Sequence, residues 1–356
     1  MSLKPFFHLL RGGQLTALLG VGVTLKPFYK LTYLAAAGET GLINRLADGP
    51  ATFDALADFF AADGRGREAL EAWLQMGVRL QLLRLGSHGY ELRGMAQALA
   101  RPQNDPTLAM VEEVAGLHHK LIAATLPKLR SGDLFTLADQ DGELIARSSR
   151  VLEAFQAEAI QRLFPQSGAV SLLEIGCGSG VCLRYAANRN PSLTALGLEL
   201  QPAVAEVARK NFRNWHLEDR VRIEDGDFRA RTPGERFDIA TLYNNIYYFP
   251  VEERLALLER IASFLRPGGF LVLTTCCQGG SLAAEALNLW GAATRGCGRL
   301  PAENELINQL RRAGYSRIKT RNLLPGDRFL AFQAFADRFA SRVSGVCGAA
   351  GRLGPA

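Results

Sequence analysis

The sequence predicts an α/β protein, with a doubly wound parallel sheet in the second half of the chain and a helical domain in front of it. Three observations carry that prediction. From residue 169 onward, short apolar runs alternate with helical stretches, the order that parallel strands and crossover helices require. The first run, 169–173, feeds Glu174 and then Gly176, Gly178 and Gly180 at alternate positions, with helical sequence following at once. Before residue 165, by contrast, apolar residues recur at the three- and four-residue spacing of helices.

Composition bounds the rest. With 356 residues, two domains are the default, and 48% hydrophobic against 21% charged residues is ordinary for a globular protein with a sizeable core. The balance of 41 basic and 35 acidic side chains, a net charge of +6, permits an anionic partner without requiring one. Six cysteines, at 177, 182, 276, 277, 297 and 347, form neither C-x-x-C pairs nor a zinc spacing with histidine, so reduced thiols and no metal are expected. The apolar patches of residues 1–30 are interrupted by Arg11, Gly12, Gly13 and Gln14. They make neither a signal peptide nor a membrane span, and a cytoplasmic protein is expected.

In the first domain, 1–104, a helix runs from Phe28 to Ala37 and continues through Leu42, Ile43 and Leu46 to Asp48-Gly49-Pro50. Thr52 or Asp54 caps a short second helix carrying Phe53, Leu56, Ala57 and Phe60. A turn at 61–66 precedes a third helix, 67–80, with Leu70, Trp73, Leu74 and Val78 on one face, and then a hairpin turning at Gly86-Ser-His-Gly89. Three helices and a hairpin in that order make a winged helix. As a DNA-binding module its third helix offers Arg65, Arg67 and Arg79, but Glu68 and Glu71 interrupt them, so no nucleic acid is expected. Residues 105–165 form a connector of two helices, 108–129 and 147–164, where a substrate pocket would open and where His118 and His119 fall.

The sheet domain spans 166–340. After the glycine turn come a second strand, 193–199, ending in Glu199; a helix from Pro202; a third strand, 221–224, leading to Asp225-Gly-Asp227-Phe228; and a fourth, 237–243. A helix over 251–265, a turn at 266–269 and a fifth strand, 270–275, follow, then a helix at 306–314 and two closing strands at 317–323 and 329–335. A tail at 341–356, rich in Gly and Ala, is expected to be loose. Ligands in open α/β sheets bind beyond the carboxyl ends of the strands, which places Tyr243, Asn244 and Asn245 at the site's border.

A dinucleotide fingerprint would need a third glycine where Val181 stands. The pattern Glu174-x-Gly176-x-Gly178-x-Gly180 instead resembles the first motif of class I methyltransferases that use S-adenosylmethionine (SAM), of the small-molecule O-methyltransferase type. The resemblance implies a Rossmann-like seven-stranded sheet, a winged-helix dimerisation domain at the N-terminus and a homodimer. It also implies SAM as cofactor, with S-adenosylhomocysteine (SAH) as product and no metal. The turn would then carry the methionine and ribose portions. Glu199, followed by Leu200, looks like the family's ribose ligand, and Asp227 with Phe228 matches its adenine site, Asp225 being a competitor. Tyr243, Asn244 and Asn245 would border the methionine half, with Tyr247 and Tyr248 facing the substrate or the domain interface.

Methyl transfer needs a base only when the nucleophile arrives protonated. Similar enzymes place a histidine just past the fourth strand; here residues 243–253 contain none. His119, His118 and Tyr247 are therefore the catalytic candidates, and oxygen methylation (phenol, hydroxyl or carboxylate) of a small natural product is the expected activity. Amine, carbon or peptide methylation are alternatives on the same fold. A DNA-binding regulator and a silent SAM-binding scaffold are the alternatives of another class.

Overall fold

The computed structural model describes residues 4–336; the expected tail at 341–356 lies outside them. Among the described residues the chain forms two compact units, one up to residue 131 and over 138–152, the other over 132–137 and from 153 onward.

The first unit begins with α1 (Lys4–Arg11) and α2 (Gln14–Glu39), then α3 (Leu42–Ala47), α4 (Phe53–Phe59) and α5 (Gly64–Arg79). The helix expected to run through Leu46 is in fact broken between α2 and α3, because Gly41 adopts φ 78° at the α3 N-cap. The Thr52 hydroxyl caps α4, accepting from Ala55 N at 3.2 Å. At the other end of that linker α5 begins three residues earlier than its apolar spacing suggests, with Gly64, Arg65 and Gly66 in its first turn.

Strands β1 (Leu83–Gly86) and β2 (Gly89–Leu92) pair antiparallel, and Ala51 bridges to Tyr90 beside them. Leu34, Leu42, Ile43, Leu56, Leu74 and Leu82 form the fully buried centre of this unit.

Next come α6 (Met95–Leu99), α7 (Asp105–Glu113) and α8 (His119–Ser131), the last two joined without interruption by a π-helical turn, Val114–His118. The expected helix over 108–129 is thus present but widened by one extra residue in the turn at its middle. After α9 (Gly142–Ser148), α10 (Glu153–Leu163) opens the second unit's helical layer.

The second unit is built on one seven-stranded sheet. In chain order its elements are β3 (Val170–Ile175), α11 (Val181–Arg189), β4 (Leu193–Glu199), α12 (Pro202–Asn214), β5 (Val221–Asp225), β6 (Phe237–Tyr243), α13 (Arg254–Ser263), β7 (Leu265–Cys276), α14 (Leu282–Ala293), α15 (Glu303–Arg312), β8 (Tyr315–Asn322) and β9 (Phe329–Ala336). The strand order is β5-β4-β3-β6-β7-β9-β8, parallel from β3 to β7, with β9 antiparallel to both β7 and β8. The expected turn at 266–269 proves to be a bulge inside β7. Phe237 pairs with Leu265 and Ile239 with Phe270, and Gly268 supplies φ 82°. Leu172, Ile239 and Val272 line one face of the sheet, under α10, α11 and α12.

Because β4 lies on one side of β3 and β6 on the other, the crossover direction reverses at β3. That reversal opens a crevice beyond the carboxyl end of β3, where open sheets bind ligands.

Candidate active site

The glycine turn sits at that reversal. Gly176, Gly178 and Gly180 adopt φ of 68°, 54° and 85°, which residues with a Cβ rarely take. Their surroundings differ. A Cβ on Gly176 would stand 2.3 Å from Asn245 Nδ2, and one on Gly180 would stand 2.4 Å from Phe212 Cε2. At Gly178 a Cβ would meet nothing within 4 Å, so here the backbone faces open space. The absent Cβ of Gly176 lets the Asn245 amide brace the turn, donating to Ile175 O at 2.8 Å and Gly176 O at 3.1 Å. Asn245 is therefore a structural partner of the turn as well as its neighbour.

Strand β4 delivers Glu199 to the same turn. Its Oε2 accepts from Gly178 N at 2.9 Å and its Oε1 from Gln201 N at 3.1 Å. An ionised carboxylate has about four lone-pair sites, so each oxygen keeps one for a hydroxyl donor. Leu200, the next residue, is 54% exposed.

Past β5, Asp227 caps a short 3-10 turn by accepting from Arg229 N, and the Arg229 guanidinium on the same carboxylate holds it below its usual range. Asp225 is likewise held low by Arg209. The Phe228 ring turns into the core, 5.1 Å from the Phe264 ring, because the 3-10 turn places it beneath α13.

Beyond β6, Asn244 takes φ 53°, donates its backbone N–H to Thr274 O at 2.8 Å, and leaves a buried Oδ1 without a hydrogen bond. Tyr243 OH and Thr274 Oγ1 are also buried and unbonded. Buried polar atoms seldom remain unpaired, so this end of the strands suits a polar ligand. Burial pushes the Tyr243 phenol well above its ordinary value, which disqualifies it as a base. Tyr247 and Tyr248 pack with Trp290 of α14 at ring separations of 6.2 and 5.3 Å.

Glu174 lies one layer deeper, 3% exposed, with Thr241 Oγ1 at 3.4 Å from Oε2. Burial pushes its carboxyl up to about 8. His118 and His119 belong to the first unit, on the π turn and the first residue of α8; His118 Nε2 stands 3.3 Å from Glu113 Oε1, and His119 is exposed.

Trp290 escapes the sequence reading, because the apolar helix α14 that carries it has no motif of its own. Ser281 before an apolar helical run was the available signal, and its hydroxyl does cap α14. The reading also misses Arg254, fully buried, whose guanidinium donates to Phe249 O and Arg299 O and so ties the loop after β6 to the segment after α14.

A family model for the methyltransferase domain matches residues 173–271. The N,N-dimethyltransferase OxyT of Streptomyces rimosus is 29% identical over 262 residues, 69% of this chain and 74% of that protein. Among solved structures, the mitomycin 7-O-methyltransferase MmcR superimposes with a TM-score of 0.77 at 20% identity, over 92% of this chain and 99% of that one. The human N-acetylserotonin methyltransferase in complex with SAM gives 0.69 at 19% identity, over 90% and 98%. The fold likeness runs through nine-tenths of the chain, while the family-model match falls on the glycine turn and the parallel strands around it. The likeness to solved structures shows a Rossmann-like fold, and the methyltransferase-domain match over residues 173–271 with the methyltransferase relative supports a SAM-dependent methyltransferase.

Proposed function

We propose that the enzyme methylates an oxygen of a small natural product by in-line displacement. The observation that carries the reading is the open backbone at Gly178 beside a Glu199 carboxylate with acceptor capacity to spare. SAM, when bound, supplies a methyl group already activated on sulfur. The chain's task is then to hold and orient, a contribution of about 7 to 11 kcal/mol when the geometry is right.

In this reading Gly176, Gly178 and Gly180 lie against the methionine and ribose, and Glu199 accepts from both ribose hydroxyls. Asp227 accepts from the adenine amino group. With the Phe228 ring in the core, the exposed Leu200 supplies the apolar wall for the base. Tyr243, Asn244 and Asn245 border the methionine end, and Tyr247, Tyr248 and Trp290 form an aromatic wall facing a flat acceptor. His118 takes the acceptor's proton, its imidazole oriented by Glu113, with His119 as the exposed neighbour. The partner is a second copy, docked through the N-terminal unit, a dimerisation winged helix. Phe6, Phe7, Leu10, Leu18, Leu19 and Val23 of α1 and α2 are all at least half exposed and need a cover.

A second reading, nitrogen methylation, is favoured by the OxyT relationship and by the lack of histidine over 243–253, since an amine attacks without a base. Incubation with methyl-labelled SAM and paired phenol and aniline acceptors of one ring system distinguishes the two. Oxygen methylation predicts label on the phenol and a rate lowered about hundredfold or more in His118→Ala. Label on the amine alone, with His118→Ala unaffected, overturns it.

A further inference from the structure

Arg254 is a cation enclosed in the protein with no carboxylate bonded to it. The side chain opens α13 and is fully buried. Its Nε donates to Phe249 O at 3.2 Å and its Nη2 to Arg299 O at 2.6 Å, while Nη1 is buried without a hydrogen bond. Glu305, whose charge favours the guanidinium, gives its oxygens to Arg299 instead, at 2.8 and 3.0 Å. Burial pulls Arg254 down to about 10, and it remains charged at neutral pH. A buried charge held only by neutral carbonyls, with one donor left over, adds little to stability. Breaks of this kind collect at functional sites, and the two carbonyls belong to segments that flank one.

Phe249 follows the short 3-10 turn Ile246–Tyr248, which carries Tyr247 and Tyr248, and Arg299 lies in the link over 294–301 that leads away from α14 and its Trp290. These two segments are also joined directly, by Gly298 N donating to Tyr247 O at 2.9 Å. They approach so closely that a Cβ on Gly298 would stand 2.7 Å from Arg254 Nη2 and 2.8 Å from Phe249 O. A Cβ on Gly291 of α14 would stand 2.4 Å from Gly298 O. Helix, link and turn thus form one packed stack. Tyr247, Tyr248 and Trp290 ride on it with their rings edge to face, Tyr247 and Trp290 at 90°. The planar fork of an arginine suits such a join, because its donors point in fixed directions.

We propose that Arg254 is the positioning residue of the acceptor wall: by holding Phe249 O and Arg299 O it fixes the turn against the link, and so sets the angle at which Tyr247, Tyr248 and Trp290 present a flat acceptor. It touches neither donor nor acceptor. The inference rests on the aromatic wall of the proposed function and adds the device that keeps that wall in place. Displacing a bound reactant by about 1 Å lowers a rate on the order of a hundredfold. The donor side is tied down separately, by Asn245 and Glu199 on the glycine turn.

The test is Arg254→Met in the full-length enzyme, which keeps most of the side chain's length without its donors. With naphthol and naphthylamine as probes, a flat phenol and aniline of one ring system, kcat/KM should fall about a hundredfold. SAH affinity by calorimetry should stay within twofold of wild type, and the thermal melt should stay cooperative. Arg254→Lys keeps the charge but not the fork, and should lose nearly as much kcat/KM. Where Arg254→Met does not fold, Gly298→Ala replaces it: the added methyl group forces the link off Phe249 with Arg254 intact, and the same split between acceptor and SAH is expected. Wild-type kcat/KM in whichever variant folds, or SAH affinity lost in step with kcat/KM, overturns the proposal and leaves the aromatic wall standing. If the wild-type enzyme methylates neither probe, the flat-acceptor reading fails and the proposal with it.

Discussion

Gly178 and Gly180 stand two positions apart in one turn, both with positive φ, yet substitution of each should do something different. Gly178→Ala places a methyl group in open space, so the cost to folding is only that of a left-handed alanine, about 1 kcal/mol. If the donor lies there, the same methyl group meets it, and SAH affinity should fall tenfold or more while the melting temperature changes little. Gly180→Ala adds a clash with the Phe212 ring, and should instead cost about 1–3 kcal/mol of stability beyond the backbone term. Thermal melts and calorimetry on the two variants separate these outcomes, and equal SAH affinity in wild type and Gly178→Ala would count against the placement. At this scale much was legible. The spacing of Glu174, the glycines and Glu199 follows from strand, turn and strand, and all of them meet at the sheet's reversal point. The facing of Phe228 was not legible, because it depends on Phe264 and Arg260 of a helix that follows it in sequence by more than 20 residues.

The π turn at Val114–His118 is where the same logic applies to an element. Local apolar spacing predicted a helix there and found one, but a single extra residue in a turn leaves the amphipathic pattern on both sides nearly intact, so the widening was invisible. It matters because it sets the direction of His118 relative to α7 and Glu113. Deleting Gly116, which is exposed and whose Cβ would touch nothing, should restore α-helical register and swing His118 off Glu113. The expected result is SAH affinity within twofold of wild type and a methylation rate down by about a hundredfold or more. An unchanged rate would remove His118 from catalysis. The bulge in β7 has a similar history. Arg266-Pro-Gly-Gly269 carries the composition of a turn, but pairing on both sides of it, to Phe237 and to Ile239, keeps it within one strand. Composition alone does not distinguish a turn between elements from a bulge inside one.

For the whole molecule, two units and one seven-stranded sheet account for nearly all buried residues, while α1 and the first half of α2 bury none of their large apolar side chains. The sequence before Glu39 contains no acidic residue, so nothing there opposes burial except Lys4, Arg11, Lys26 and Lys30. A second copy covering this surface would bury on the order of 800 Å² per partner, the size of a standard interface. Light scattering should give a dimer for the full chain and a monomer after removal of residues 1–30; a monomeric full-length protein would contradict the assembly. The parallel sheet followed from the alternation of strands and helices, whereas its strand order did not, and the exposure of α1 and α2 could not be foreseen, since an apolar helix has the same sequence whether its cover is its own core or a partner. The claim on which the rest depends is that the donor's ribose is tied to Glu199 across the glycine turn. Calorimetric titration of SAH into wild type and Glu199→Ala tests it most directly. Loss of two hydrogen bonds to a charged acceptor predicts affinity weakened by a hundredfold or more, and a Glu199→Ala protein that binds SAH as tightly as wild type would contradict the account.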